Sequence, residues 1–194
     1  SPLLQCYAAV VSGALRQERV HAVYEREAGI VLAAGRSARF GAPKVLSDWH
    51  GKPFVRQAAE IALQAGLSPV IVVVGAYEEA VRAALVGLPV QVVSNPNWAE
   101  GQSTSLRAGL AAVREAGAAI FLLADQPHLP VTIVRDLLEL HRRSLAAIVA
   151  PRVDGRRANP VLFDRVTFAY LLAISGDQGD RAMMERSPVT WLDS

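Results

Sequence analysis

The chain of 194 residues is 52% hydrophobic and 20% charged, a composition that predicts one compact globular domain rather than a disordered segment. Its formal net charge of +2 is too small for a nucleic-acid-binding protein, and its single cysteine excludes an internal disulfide framework or a cysteine metal cluster. No apolar run approaches the roughly 20 residues that span a bilayer. We therefore expect a cytoplasmic protein with no nucleic-acid or membrane partner.

The elements predicted in chain order alternate between strands and helices. Residues 1–28 form an N-terminal extension with no assigned function, in which apolar spacing from Tyr7 to Leu15 predicts a helix. The following domain, 29–194, has predicted strands at 30–32, 70–74, 90–93, 119–123 and 147–150, and predicted helices at 54–65, 77–85, 103–116 and 131–144. This alternation is typical of an α/β fold with a doubly wound, mostly parallel sheet flanked by helices.

The loop after the first predicted strand combines small residues with positive charge. Ligands of doubly wound sheets bind outside the carboxyl ends of the strands, which places this loop at the expected site. Ala33, Ala34 and Gly35 leave room for backbone N–H groups to approach phosphate oxygens. Three cations suited to phosphate follow, namely Arg36, Arg39 and Lys44. The pattern favours a triphosphate site, although a tight strand-to-helix turn with solvated basic residues would have the same composition.

Two common nucleotide-binding motifs do not match this loop. Lys44 is followed by Val45 and lies three residues beyond Gly41, so the Gly-x-x-x-x-Gly-Lys-Ser/Thr pattern is absent. The spacing Gly-x-Gly-x-x-Gly is absent as well, which disfavours a dinucleotide-dependent oxidoreductase.

Residues 32–44 read Leu-Ala-Ala-Gly-x-Ser-x-Arg-x-Gly-x-x-Lys, which resembles the signature of the nucleotidyltransferases that activate the molybdenum cofactor. The resemblance covers residues 29–193 and implies a Rossmann-like, glycosyltransferase-A-like fold. It implies transfer of a nucleotidyl group to the terminal phosphate of molybdopterin, with release of pyrophosphate. It also implies that the nucleotide is bound by Leu32, Ala33, Ala34, Gly35, Arg39 and Lys44.

A second string runs from Asn95 to Leu110, through a turn-forming Asn-Pro pair and a glycine into hydroxyl-bearing residues. These hydroxyls stand at a predicted helix N-terminus, which favours anions; a simple helix-capping role for Ser103 is the alternative. The string resembles the family's segment that lines the nucleotide and pterin pocket. The resemblance implies nucleotide contacts by Asn95, Gly101 and Ser103, and molybdopterin contacts by Gln102 and Ser105.

Asp125 follows an apolar strand at the predicted ligand edge of the sheet, which makes it the metal candidate. Mg²⁺ usually takes one or two carboxylates together with substrate phosphate oxygens, so a single aspartate is chemically sufficient. A buried aspartate that caps the next helix is the alternative. The family resemblance implies that Arg39, Lys44 and Asp125 are catalytic and act with Mg²⁺ on an in-line transition state.

Two later segments also resemble substrate-recognition elements of the family. Asn159 opens the segment 159–163, which departs from the family at Ala158, where glycine is more common. Asp177 lies in a Gly-Asp-x-Gly-x-Arg turn, with Asp180 in place of the usual small residue. The resemblance implies that Asn159 and Asp177 contact molybdopterin and that Asp177 assists the metal. A helix entry capped by Asp177 is the alternative.

The identity of the base is predicted from one position. The guanylyl-transferring branch of the family generally reads Leu-Ala-Gly-Gly at the first strand, whereas this chain has Ala34 in that string. A methyl group there narrows the base pocket, so CTP is expected rather than GTP. The family also implies transient contact with molybdoenzymes or their chaperones. Guanylyl transfer, another phosphorylated acceptor and a non-catalytic nucleotide-binding regulatory module are the alternatives.

The remaining residues with special chemistry are assigned no site. The histidines are dispersed without metal-ligand spacing, which argues against zinc: His21, His50, His128 and His141. The tryptophans are interpreted as packing residues rather than base-stacking platforms: Trp49, Trp98 and Trp191. Asp193 is interpreted as the remnant of an aspartate-rich element of the family.

Overall fold

The computed structural model describes residues 26–36, 43–113, 115–173 and 188–193. The helix predicted near the N-terminus lies outside the described residues, as do Arg39 and Asp177. Among the helices in the described part of the chain, none combines the length and apolar character needed to cross a membrane.

The strands, in chain order, are β1 Glu27–Ala33, β2 Asp48–Trp49, β3 Lys52–Pro53, β4 Val70–Val74, β5 Gln91–Ser94, β6 Ala118–Leu123, β7 Ile148–Val153, β8 Arg156–Arg157, β9 Val161–Asp164 and β10 Thr190–Asp193. The α-helices are α1 Phe54–Gln64, α2 Glu78–Ala84, α3 Gln102–Ala112, α4 Val131–Ser144 and α5 Phe168–Ala173. Short 3-10 turns occur at Lys44–Leu46, Trp98–Glu100 and Arg165–Thr167.

The main sheet has the strand order β10-β7-β9-β6-β1-β4-β5, with β8 paired to β7, and β2 and β3 form a separate hairpin. β1 pairs in parallel with β4 and β6, and β4 pairs in parallel with β5. β9 runs antiparallel to both of its neighbours, β6 and β7. The sheet is therefore mostly parallel and flanked by helices, which confirms the predicted α/β, Rossmann-like fold.

Each predicted strand and helix of the segment 29–150 is present, with small differences at the ends. The predicted helix 103–116 ends earlier, at Ala112, because Val113 leaves the helical conformation at φ −104° and ψ 88°. The strand β9 is not among the predicted elements, since 159–163 was interpreted only as a substrate-recognition segment. Most of that segment is a buried strand in the middle of the sheet.

The hydrophobic core lies on both faces of the sheet. Helices α1, α2 and α4 cover one face, which includes Val31 and Val72, and helices α3 and α5 cover the other, which includes Ile30 and Ile71. Successive residues of a strand point to opposite faces, so a strand covered on both sides is apolar throughout. All five residues of β4 are accordingly buried.

A glycine in α3 sets how closely this helix approaches the sheet. A Cβ atom at Gly109 would collide with Ile30 Cγ2 of β1, so only glycine permits the observed approach. The close contact fixes α3 over β1 and β4, and its first turn lies at the carboxyl ends of the strands. The position of that first turn therefore depends on backbone packing inside the core.

Candidate active site

A cleft opens at the carboxyl ends of the parallel strands, where β1 lies between β4 and β6. The chain proceeds from β1 to β4 on one side, and β6 lies on the other, which leaves a crevice between the loops. Its volume is about 370 Å³, within the range of small-molecule sites. The cleft is lined by Leu32, Ala34, Gly35, Arg36, Val45, Trp98, Ala99, Gly101, Gln102, Ser105, Leu123 and Asp125.

The structure brings most of the predicted site residues together. Those that line the cleft are Leu32, Ala34, Gly35, Gly101, Gln102, Ser105 and Asp125. Lys44 is hydrogen-bonded to Asp125. Ala33, Asn95 and Ser103 are buried and do not contribute to the lining. The predicted roles of Arg39 and Asp177 concern residues outside the described ranges.

An ion pair joins the first loop to the segment after β6. Lys44 Nζ donates to Asp125 Oδ2 at 3.2 Å, although the two residues are 81 positions apart. Val45, which follows Lys44 in its 3-10 turn, is buried in the core and anchors the backbone that carries the ammonium group. The two side chains are 34% and 43% exposed, and pairs of this kind contribute only about 0–1 kcal/mol to stability. The pair is therefore accessible to a charged ligand.

Two alternative roles can be set aside on the helix boundaries. Asp125 does not cap the following helix, because Pro130 is the N-cap residue of α4. Ser103 does not cap α3 either, because the N-cap residue is Gly101 and no side chain makes a capping hydrogen bond there. Neither residue therefore acts as a helix cap.

The N-terminus of α3 forms one wall of the cleft. Gly101 has φ 115° and ψ 166°, a conformation that essentially only glycine adopts. The first backbone N–H groups of a helix lack the usual partner four residues earlier and carry partial positive charge; in this helix the Thr104 N–H donates to Gly101 O at 3.2 Å. Since Gln102 and Ser105 of this turn line the cleft, the wall is suited to an anion such as a phosphate group.

Asn95 holds the preceding loop against this first turn. Its side-chain Nδ2 donates to Thr104 Oγ1 and to Ser105 Oγ, both at 2.9 Å, and its Oδ1 accepts from the Asn97 N–H at 3.1 Å. Asn95 is 4% exposed, so these bonds satisfy a buried amide. The predicted nucleotide-binding residue Asn95 therefore has a positioning role in this structure. Ser103 Oγ, 1% exposed, has no hydrogen-bond partner among the described residues.

Gly75, which the sequence analysis did not single out, permits close packing of the neighbouring wall. The Ala76 N–H donates to Ala34 O at 3.1 Å and ties the end of β1 to the residues after β4. A Cβ atom at Gly75 would lie 2.7 Å from both Ala34 O and Trp98 Cγ. Its only sequence signal is a glycine directly after a run of β-branched residues.

The same wall carries the half-buried Trp98 and the exposed Arg36. The Arg36 guanidinium lies over the Trp98 ring, 5.4 Å from its centroid, and both residues line the cleft. Tyr77 Oη donates to Arg36 O at 3.3 Å, which fixes the backbone beneath the guanidinium. Trp98 thus packs against Gly75, as the sequence analysis expected of a packing residue, and also presents aromatic surface to the cleft.

Asn159 reaches the same edge of the sheet because β9 is antiparallel. Val161 pairs with Phe121 of β6, so the residues before Val161 continue toward the carboxyl end of β6. Asn159 therefore lies near the level of Leu123, although it does not line the cleft.

Asp193, at the carboxyl end of β10, accepts a hydrogen bond from Arg152 Nε at 2.8 Å, and this bond lowers the pKa of Asp193.

A family model and several relatives match the chain. The model of the MobA-like NTP transferase domain matches residues 29–190. Nicotine blue oxidoreductase of Paenarthrobacter nicotinovorans is 36% identical over 172 residues, which cover 84% of this chain and 83% of that protein. The bifunctional enzyme IspD/IspF of Novosphingobium aromaticivorans is 32% identical over 134 residues, and the chain spans only 34% of its length.

Solved structures agree with these matches. Rv0371c from Mycobacterium tuberculosis H37Rv is 30% identical and has a TM-score of 0.78, with 88% of each chain covered. The complex of Rv0371c with manganese has a TM-score of 0.73 at the same identity and coverage. The chain belongs to the MobA-like NTP transferase family, and it is a nucleotidyltransferase of that family by sequence and fold.

Proposed function

We propose that the protein transfers a cytidylyl group from CTP to the terminal phosphate of molybdopterin. An oxygen of that phosphate attacks the α-phosphorus of CTP, the bond from the α-phosphorus to the bridging oxygen breaks, and pyrophosphate leaves. No side chain has to act as a nucleophile, so catalysis depends on positioning and on charge neutralisation. The observation that carries the proposal is the Lys44–Asp125 pair at 3.2 Å beside the cleft.

Positive charge approaches the cleft from two directions in this arrangement. Lys44 provides an ammonium group for phosphate oxygens, and the first turn of α3 provides backbone N–H groups. A triphosphate bound between them would compete with Asp125 for the ammonium group. Arg39, through the family resemblance, adds a further cation to the catalytic group.

Asp125 is the residue that would hold Mg²⁺. Its carboxylate is 43% exposed, and the described residues contain no group of three or more His, Cys, Asp or Glu side chains placed to bind a metal. Mg²⁺ usually takes one or two carboxylates together with substrate phosphate oxygens, so these oxygens would complete the coordination, with Asp177 as the second carboxylate implied by the resemblance. The bound cation would offset charge on the triphosphate. The manganese complex of Rv0371c supports a divalent cation in a relative.

The preference for CTP rests on Ala34. Ala34 is one of the residues that line the cleft, it is 3% exposed, and its carbonyl oxygen is held by the Ala76 N–H. Because both the side chain and the backbone of Ala34 are fixed, this part of the cleft cannot easily widen to hold a larger base. The proposal therefore favours cytosine over guanine in the same cleft.

Pyrophosphate release with a purified molybdopterin acceptor tests this function. Wild-type protein is incubated with Mg²⁺ and either CTP or GTP, with and without molybdopterin. We expect release with CTP that depends on molybdopterin, and slower release with GTP. Tighter binding of GTP than of CTP would contradict the cytidylyl assignment.

The remaining outcomes separate the alternatives. Release that occurs with a sugar phosphate but not with molybdopterin would assign another phosphorylated acceptor. Nucleotide binding without release in the presence of any acceptor would indicate a regulatory module. The relative named as an oxidoreductase makes this test necessary, since membership of the family leaves the substrates undefined.

A further inference from the structure

Four side chains form an aromatic ledge outside the cleft lining: Trp49, His50, Phe54 and His128. The Trp49 ring centroid lies 4.9 Å from that of His50, 6.2 Å from that of Phe54 and 6.4 Å from that of His128. Trp49 is 37% exposed, and both histidines are exposed. From the sequence, Trp49 was interpreted as a packing residue and the two histidines as dispersed. The structure instead groups them on one surface.

The ledge adjoins the Lys44–Asp125 pair. Trp49 follows Lys44 by five residues and His128 follows Asp125 by three, so the same two chain segments meet at the ion pair and again at the ledge. Three residues span at most about 11 Å of extended chain, which bounds the distance between Asp125 and His128. A small molecule is long enough to contact both places at once.

The hairpin that carries Trp49 presents His50 in an unusual conformation. His50 and Gly51 have φ values of 52° and 81°, and the Gly51 N–H donates to Asp48 Oδ1 at 3.0 Å. A left-handed conformation is uncommon for a residue other than glycine and costs free energy. The two-residue strands of this hairpin are outside the main sheet, so the exposed His50 ring is not required by the core.

We propose that the aromatic ledge binds the planar heteroaromatic ring of the acceptor while the acceptor phosphate lies at Lys44 and Asp125. This inference rests on the proposed nucleotidyl transfer and specifies where the ring of its acceptor binds. Flat aromatic surface binds flat rings by stacking or edge contacts, and the imidazole nitrogens exchange hydrogen bonds with ring heteroatoms.

His128 is the position at which the ledge is tested. His128 contacts Trp49 from the loop after β6, so its loss leaves the contact between Trp49 and Phe54 in place. We expect His128→Ala to weaken binding of neopterin, a free pterin, by about fivefold or more. His128→Phe retains a ring and is expected to restore binding. CTP affinity is expected to stay within about twofold of wild type in both variants.

Tyr170→Ala is the matched control, because Tyr170 is an aromatic residue on helix α5 whose exposure, 38%, is close to the 37% of Trp49. Binding of neopterin and of CTP is measured by calorimetry for each protein. Equal neopterin affinity in wild type and His128→Ala would overturn the ledge, as would an equal loss of CTP affinity. A competition experiment tests the same proposal. Phenyl phosphate is expected to displace the acceptor better than glycerol 3-phosphate does, and the reverse order would overturn the proposal.

The two proposals fail in different ways. Neopterin binding requires no turnover, so ring binding that depends on His128 without pyrophosphate release would refute the proposed function and support the ledge. Pyrophosphate release with an unchanged KM for molybdopterin in His128→Ala would refute the ledge and leave the proposed function standing.

Discussion

Gly75 separates two closely packed parts of the cleft wall, and an added methyl group would force them apart. Its Cβ atom would lie 2.7 Å from Ala34 O and 2.7 Å from Trp98 Cγ, whereas non-bonded atoms at contact prefer about 3.5–4.0 Å. The backbone and the indole would have to separate by about 1 Å. Overpacking of this kind costs about 1–3 kcal/mol, so Gly75→Ala is expected to lower the Tm by about 2–12 °C in a chain of this size.

Scanning calorimetry and a CTP titration measure the two consequences. The displaced indole should also weaken CTP binding, because Trp98 lines the cleft. Gly35→Ala is the control, since a Cβ atom there meets nothing within 4 Å. We expect that variant to retain the wild-type Tm while binding CTP more weakly, because its methyl group enters the loop expected to approach phosphate. A Gly75→Ala protein with wild-type Tm and CTP affinity would refute this description of the wall.

Three further predictions concern charged groups. Lys44→Ala and Asp125→Ala should each lower kcat by about 100-fold or more. Because the pair is exposed, each change should alter the Tm by less than about 3 °C. Near-normal turnover in either variant would refute the role of that residue. Arg36→Ala should raise the Kd for CTP about fivefold, measured by calorimetry, through loss of the guanidinium from the cleft wall, and an unchanged Kd would contradict this. Asp193 should titrate below its ordinary pKa of 3.8, because Arg152 donates to the carboxylate. The Arg152–Asp193 pair then stabilises the fold above pH 3.8, and this stabilisation is lost as the pH falls through the lowered pKa of Asp193. An NMR titration in which Arg152→Gln leaves the Asp193 pKa unchanged would contradict Arg152 as the cause of the shift.

The sequence pattern is sufficient for the mostly parallel sheet and for the edge that carries the site. Runs such as Val70–Val74 are apolar at every position, which indicates burial on both faces, and alternation with helical segments then requires parallel strands. Since the carboxyl ends of parallel strands meet at one edge, the small residues after β1 and the carboxylate after β6 could be assigned to one site. These inferences need only local periodicity and a general rule of topology.

The tertiary structure decided which groups actually meet. The bond between Lys44 and Asp125 spans 81 positions, and local periodicity carries no information about contacts of that separation. The direction of β9 depends on its neighbours β6 and β7, so a four-residue apolar segment could equally be interpreted as a loop. Asn95 has a polar side chain of the kind that binds ligands, but its amide donates hydrogen bonds to Thr104 and Ser105 once α3 is packed against β1. By itself, therefore, the sequence determines the parallel strands and the edge of the sheet at which the candidate cleft lies, whereas the long-range packing of strands and loops decides which side chains line that cleft.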